Sequence, residues 1–214
     1  MEHWRAEHDP APCLRVTPDY AVLADRKGGA HLLLIPTRSL SGIESPLLTE
    51  PGIPNYFAFA WEERDRLAVL AGRPLPRGVI GLAVNPVHAR SQDQLHIHIE
   101  CLRPDVARDL TRAGVAAPLR RGGWIQATVA GASFAILRLA GDDLRRYRPF
   151  VLLAEHVRAV GGSMEDYTLL LAGMRYDDDP GFLLLAGTSR AAELLLDSSC
   201  AAAGSSIDGR AGGR

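Results

Sequence analysis

The chain has 214 residues, 47% apolar and 23% charged, with a formal net charge of −1. That length supports a substantial buried core, and the near-neutral balance excludes a global electrostatic pull toward nucleic acid. No apolar run reaches the roughly 18–20 residues needed to span a bilayer, and the charged start MEHWRAEHDPAPC is no signal peptide as it stands.

Residues 20–24 (YAVLA) and 31–36 (HLLLIP) read as a β-hairpin turned by 25–29. The next segment, 37–49, has no regular period; it mixes hydroxyls, Arg38 and Glu44 with apolar residues. It reads either as a loop closing over a site or as a surface connection. A helix is expected over 54–71, opened by Pro54-Asn55 and ended by Gly72 and Pro74. An apolar strand over 79–85 then delivers Asn85 to the following loop.

The stretch 85–100 organises the rest. In its second half Gln94, His96, His98 and Glu100 alternate with Leu95, Ile97 and Ile99, so a strand would bury the apolar face and set two imidazoles about 7 Å apart on the other. Beyond Arg103-Pro104, Asp105 is positioned to cap a short helix through about Arg112. Residues 122–129 and 133–139 read as a second hairpin, Asp142 or Asp143 opens a helical region to about residue 160, and 167–174 pairs with 181–187 around an acidic Pro-Gly turn. The fold class is α+β, an antiparallel sheet with packed helices. The order strand, strand, helix, strand, strand occurs in 20–101 and in 124–187, which suggests two ββαββ pseudo-repeats inside one domain over 12–190. Residues 191–214, rich in small residues, read as a flexible tail.

Cys13, Cys101 and Cys200 show no CxxC spacing, which argues against a zinc knuckle; a Cys13–Cys101 disulfide and buried free thiols both stay open. Residues 102–148 hold nine Arg against four Asp, a local excess suited to an anionic surface or to ordinary solvation.

Three uses compete for His96 and His98. They are histidines of a packed strand, metal ligands with His88 or Glu100, or a catalytic pair. A neutral imidazole attacks phosphorus when its other nitrogen is held as an N–H donor and the phosphate charge meets fixed donors. Asn85, Ser91 and Gln92 supply such donors on the preceding loop, enough to bind a pyrophosphate without a metal or other cofactor.

Asn85, Ser91-Gln92 and Gln94-Leu-His-Ile-His-Ile resemble the active-site block of the histidine-triad (HIT) superfamily. Leu33-Leu-Ile-Pro-Thr37, Gly42-Ile-Glu-Ser-Pro-Leu-Leu-Thr49 and the run from His96 to Val106 are similar to the CDP-diacylglycerol pyrophosphatase family. The likeness runs from about Cys13 to beyond Phe182. It implies a HIT-like fold and hydrolysis of CDP-diacylglycerol to CMP and phosphatidate, with His96 as the nucleophile and His98 as the third histidine. Gln94 stands where the triad has its first histidine and cannot titrate. Asn85, Ser91, Gln92 and Gln94 would bind substrate, assisted by Arg38 or His31. The resemblance further implies contact with a membrane lipid surface, at a bacterial inner membrane or exported face, and is compatible with an oligomer. A HIT-type hydrolase or nucleotidyl transferase of soluble nucleotides, and a non-catalytic metal- or lipid-binding module, are the alternatives.

Overall fold

A computed structural model describes residues 13–26, 28–117 and 123–204. Its ten strands are β1 (Arg15–Val16), β2 (Tyr20–Ala24), β3 (His31–Pro36), β4 (Ile80–Val84), β5 (Ile97–Leu102), β6 (Ile125–Val129), β7 (Ala132–Ala140), β8 (Thr168–Tyr176), β9 (Asp179–Gly187) and β10 (Leu196–Asp197). They form one sheet in the order β1-β2-β3-β5-β4-β8-β9-β7-β6, with β10 set against β5. Every pairing is antiparallel. The hairpin between β6 and β7 turns on Ala130 (φ 49°) and Gly131 (φ 78°), the doubly left-handed conformation that a two-residue turn demands.

Period-two alternation sorts the side chains into two layers. On one face Leu32, Leu34, Leu82, Ile97, Ile99, Leu171 and Leu184 pack together beneath the helices α1 (Tyr56–Glu62), α2 (Arg64–Ala71) and α4 (Pro149–Ala159). Each leucine so buried contributes about 1.5–3 kcal/mol, which holds the register. On the other face α3 (Pro104–Ala116) lays Val106 and Leu110 over Ile136, Leu170 and Leu185. Over β3 and β5 that second face carries His31, His98 and Glu100, and there the cleft opens.

Several expectations need correction. The helix expected over 54–71 is two helices, divided at Glu63. Glu63 turns inward and takes the Tyr20 hydroxyl at 2.8 Å and Arg15 at 3.1 Å. Asp105 does not cap α3; it binds Arg103 at 2.6 Å, and Pro104 opens a helix that runs on to Ala116. The segment 37–49 does not close over the cleft, because Leu40, Ile43 and Leu48 are drawn into the helix-side core. The disulfide is Cys101–Cys200, and Cys13 is free. Residues 191–204 are not a loose tail: β10 pairs Leu196 with Leu102 and Asp197 with Cys101, and Ala30 donates to the Ser198 carbonyl at 2.8 Å. The rest of that expected tail, 205–214, lies outside the described residues.

The arginine-rich stretch does not form one patch. Arg103, Arg112 and Arg145 pair with Asp105, Asp109 and Asp143, and Arg138 stacks on Tyr176. Arg145 and Arg146 follow Leu144, which packs in the helix-side core, on the face away from the cleft. Arg120 and Arg121 lie outside the described residues. Among the described residues no helix is long and apolar enough to cross a membrane.

Candidate active site

Pairing of β5 begins at Ile97, so His96 sits on the extended approach to the strand and His98 inside it. The registers Leu33↔His98, His31↔Glu100 and Ala83↔His98 set both strand residues among close neighbours. A cleft of about 600 Å³ opens above them, with His96, His98, Asn85, Ser91 and Gln92 in its wall. Gln94 and Arg38 are not in that wall. The Gln94 amide donates to the carbonyls of Pro36 at 3.2 Å and Arg38 at 3.1 Å, so it anchors the approach to β3 and spends its donors there. Arg38 contributes its carbonyl to that anchor.

His96 Nδ1 lies 2.9 Å from the Gln94 carbonyl. A carbonyl only accepts, so Nδ1 carries the proton and the neutral ring keeps its lone pair on Nε2. The ring is held by its own chain two residues back, and that backbone contact decides which nitrogen keeps the lone pair.

His98 is 5% exposed and Glu100 5%, with His31 behind them at 3%. His98 Nδ1 meets His31 Nε2 at 2.9 Å. His31 in turn contacts Asp25 through Nδ1 at 3.3 Å and Glu100 through Nε2 at 3.1 Å. Burial first, then the neighbouring His96, pushes the His98 pKa well below the usual imidazole range, which keeps the ring neutral at physiological pH. Its Nε2 is buried and has no hydrogen-bond partner among the described residues; Glu193 Oε2 lies 4.0 Å away.

His31, His98 and Glu100 bring three potential ligand atoms within 4.8 Å of one another. A cation would need their lone pairs to converge on one point. The two rings instead lie 25° apart with centroids 5.1 Å apart, so the 2.9 Å contact runs nearly along the line between the rings. That head-on arrangement suits a shared proton rather than a shared cation. His88, weighed as a ligand beside His96 and His98, stands outside the cluster on the turn Val87–Ala89, and His96 is outside the cluster as well.

Four charged residues of the cleft wall escaped sequence reasoning, Arg26 among them. Arg90 lines the cleft and is held by Glu44 at 2.6 Å and Asp93 at 2.9 Å; the bond to Glu44 raises its pKa, so its charge is permanent. Gly42 makes that clamp possible, since a Cβ there would run into Arg90 Nη1. Asp25 lines the wall beside His31. Glu193 arrives on the C-terminal strap, where Asn85 grips it twice: Asn85 Nδ2 donates to Glu193 Oε2 at 3.1 Å, and the Glu193 backbone N–H donates to Asn85 Oδ1 at 3.1 Å. Asn85 lines the cleft, but its amide is committed to Glu193. Arg90 stood within reach of a reading that asked for a cation near a phosphate. Glu193, 97 positions beyond His96 in sequence, gave no local signal.

A family model described as CDP-diacylglycerol pyrophosphatase matches residues 1–204, which takes in every residue of this cleft.

Proposed function

We propose a nucleotidyl-histidine route for this chain, which belongs to the CDP-diacylglycerol pyrophosphatase family and is a hydrolase of the pyrophosphate in CDP-diacylglycerol. The observation that carries the route is the His96 Nδ1–Gln94 carbonyl bond, which leaves Nε2 as a directed nucleophile at the cleft. In the first step Nε2 attacks the phosphorus next to cytidine. The bond to the bridging oxygen breaks, phosphatidate departs with the electron pair, and a cytidylyl group remains on His96. In the second step water attacks the same phosphorus, the P–N bond breaks, and CMP leaves. Both displacements proceed in line, and the site's task is to hold the phosphorus and meet its charge.

The remaining residues take roles that their contacts support. His31 Nδ1 lies 3.3 Å from Asp25 and its Nε2 3.1 Å from Glu100, and the proton on Nε2 is directed to His98 Nδ1 at 2.9 Å. That leaves the His98 proton on Nε2, a donor for the departing phosphate oxygen. Ser91 and Gln92 offer a hydroxyl and an amide from the cleft wall, and Arg90 supplies fixed positive charge. Val87 and Leu194 neighbour the wall residues in sequence and leave apolar side chains 38% and 57% exposed, which suits a lipid substrate whose acyl chains leave the site toward a membrane.

We assign the fold to the HIT type with a pseudo-repeat. The order β2-β3-β5-β4 in the first half and β6-β7-β9-β8 in the second is the same connectivity, first, second, fourth, third, met twice across the β4–β8 pairing. The catalytic domain then extends past 190 to the end of the strap at 204.

The test is CMP release from CDP-diacylglycerol in detergent, with EDTA present, for wild type and His96→Ala. The reading expects EDTA-resistant release that falls by at least about 10³-fold in the variant, as loss of a nucleophile requires. Release that survives the substitution would remove His96 from the chemistry.

A further inference from the structure

We infer that Glu193 is the general base of the second step, the hydrolysis of the cytidylyl–His96 bond, an assignment that rests on the nucleotidyl-histidine reading above. Water attacking phosphorus must lose a proton. The strand offers no group for it, since Gln94 cannot titrate and its amide is turned away onto Pro36 and Arg38. His96 is itself the esterified residue. His98 faces His31 through Nδ1 and carries its other nitrogen as a donor. Of the other carboxylates near the cleft, Glu100 is buried beneath the rings, and Asp25, though in the wall, is turned to His31 Nδ1 at 3.3 Å. Glu193 lines the cleft with its side chain 33% exposed, so water reaches it, and its Oε2 stands 4.0 Å from His98 Nε2.

The position of that carboxylate is built. Asn85 leaves the end of β4 and holds both the backbone and the side chain of Glu193. The strap that carries Glu193 is tied to the sheet by the β10–β5 pairing and by the Cys101–Cys200 disulfide. Asn85 is accordingly a positioning residue, which is where its donors go instead of to phosphate. The step balances: the oxygen–phosphorus bond forms, the P–N bond breaks with its electron pair returning to His96 Nε2, and the water proton passes to the Glu193 carboxylate and then to solvent as CMP leaves. A general base contributes about 10²–10⁴-fold in rate.

The experiment follows the two products separately with Glu193→Gln, using CDP-diacylglycerol in detergent. The expected result is a burst of phosphatidate near one equivalent per protein, accumulation of a cytidylyl adduct by intact mass, and CMP release lowered by at least about 10²-fold. Fluoride needs no deprotonation, so added fluoride should discharge the adduct of the variant as cytidylyl fluoride; a merely structural role for Glu193 would give no such rescue. Glu193→Asp, which keeps a carboxylate, should retain more CMP release than Glu193→Gln. CMP release within about twofold of wild type in Glu193→Gln would overturn the assignment. So would a slowed phosphatidate burst without adduct, because Glu193 would then act before the intermediate. If His96→Ala keeps wild-type activity, the underlying reading fails first, and that outcome is distinct from both.

Discussion

At the scale of single residues, His98 is a buried imidazole kept neutral, and its chemistry has a cost in acid. Its folded pKa lies below that of the unfolded chain, so below about pH 6.5 the unfolded state binds a proton that the folded state refuses. Stability therefore falls as pH drops through that range, by up to about 1.4 kcal/mol per pH unit while the difference is one proton, and is unaffected above it. His31, His96, Asp25, Glu100 and Glu193 surround the same ring, so the quantity to read is a difference. Urea denaturation of wild type and His98→Asn between pH 7 and 5 should give a shallower slope for the variant; equal slopes would mean that His98 is not held neutral. His96 and His98 were legible because period two and a lone His-x-His pair are local. Arg90 and Glu44 were in view as letters, but their pairing needed Gly42 to bring two loops together. Glu193 was legible only in three dimensions.

Among the elements, the strands were readable because alternation is written along the chain, and the β2–β3, β6–β7 and β8–β9 hairpins fall where turn chemistry put them. The breaks were not. α1 and α2 divide at Glu63, whose carboxylate binds the local Arg66 and is drawn inward by Tyr20 and Arg15, and no window of sequence around 63 contains those two distant partners. The strap misled for a related reason: Ala, Ser and Gly from 197 onward look like loose chain, whereas one backbone pairing, the Arg73 bond to the Cys200 carbonyl and a disulfide hold the segment to β5 and α2. That disulfide closes a separation of 99 residues, where chain-entropy reasoning and the usual cost of removing a native bridge give about 2–5 kcal/mol. Cys200→Ser should lower the denaturation free energy by that amount. Because Glu193 rides on the strap, CMP release should also fall more than His96 adduct formation. A variant as stable as wild type would show that the pairing with β5 suffices without the bridge.

For the molecule as a whole, the decisive feature is that one sheet face is given to helices and the other is shared between α3 and the cleft. The same connectivity in both halves leaves β5 and β9 in corresponding places, yet β5 carries His98 and Glu100 where the apolar run of β9 carries Leu183 and Leu185 under α3. Histidines in one half and leucines in the other put the candidate cleft over β3 and β5 and a packed helix over β9. Charge is distributed in the same way: Arg103, Arg112 and Arg145 of the arginine-rich stretch pair locally, and the described cations in the cleft wall are Arg26 and the clamped Arg90. The central claim is that hydrolysis runs through two in-line displacements at one phosphorus, first by His96 and then by water. The direct measurement is the stereochemical course at that phosphorus, using CDP-diacylglycerol made chiral with sulfur on the cytidine-side phosphate and hydrolysed in oxygen-18 water. Two inversions predict net retention in the CMP thiophosphate, and net inversion would mean that water attacks directly and that no cytidylyl-His96 intermediate exists.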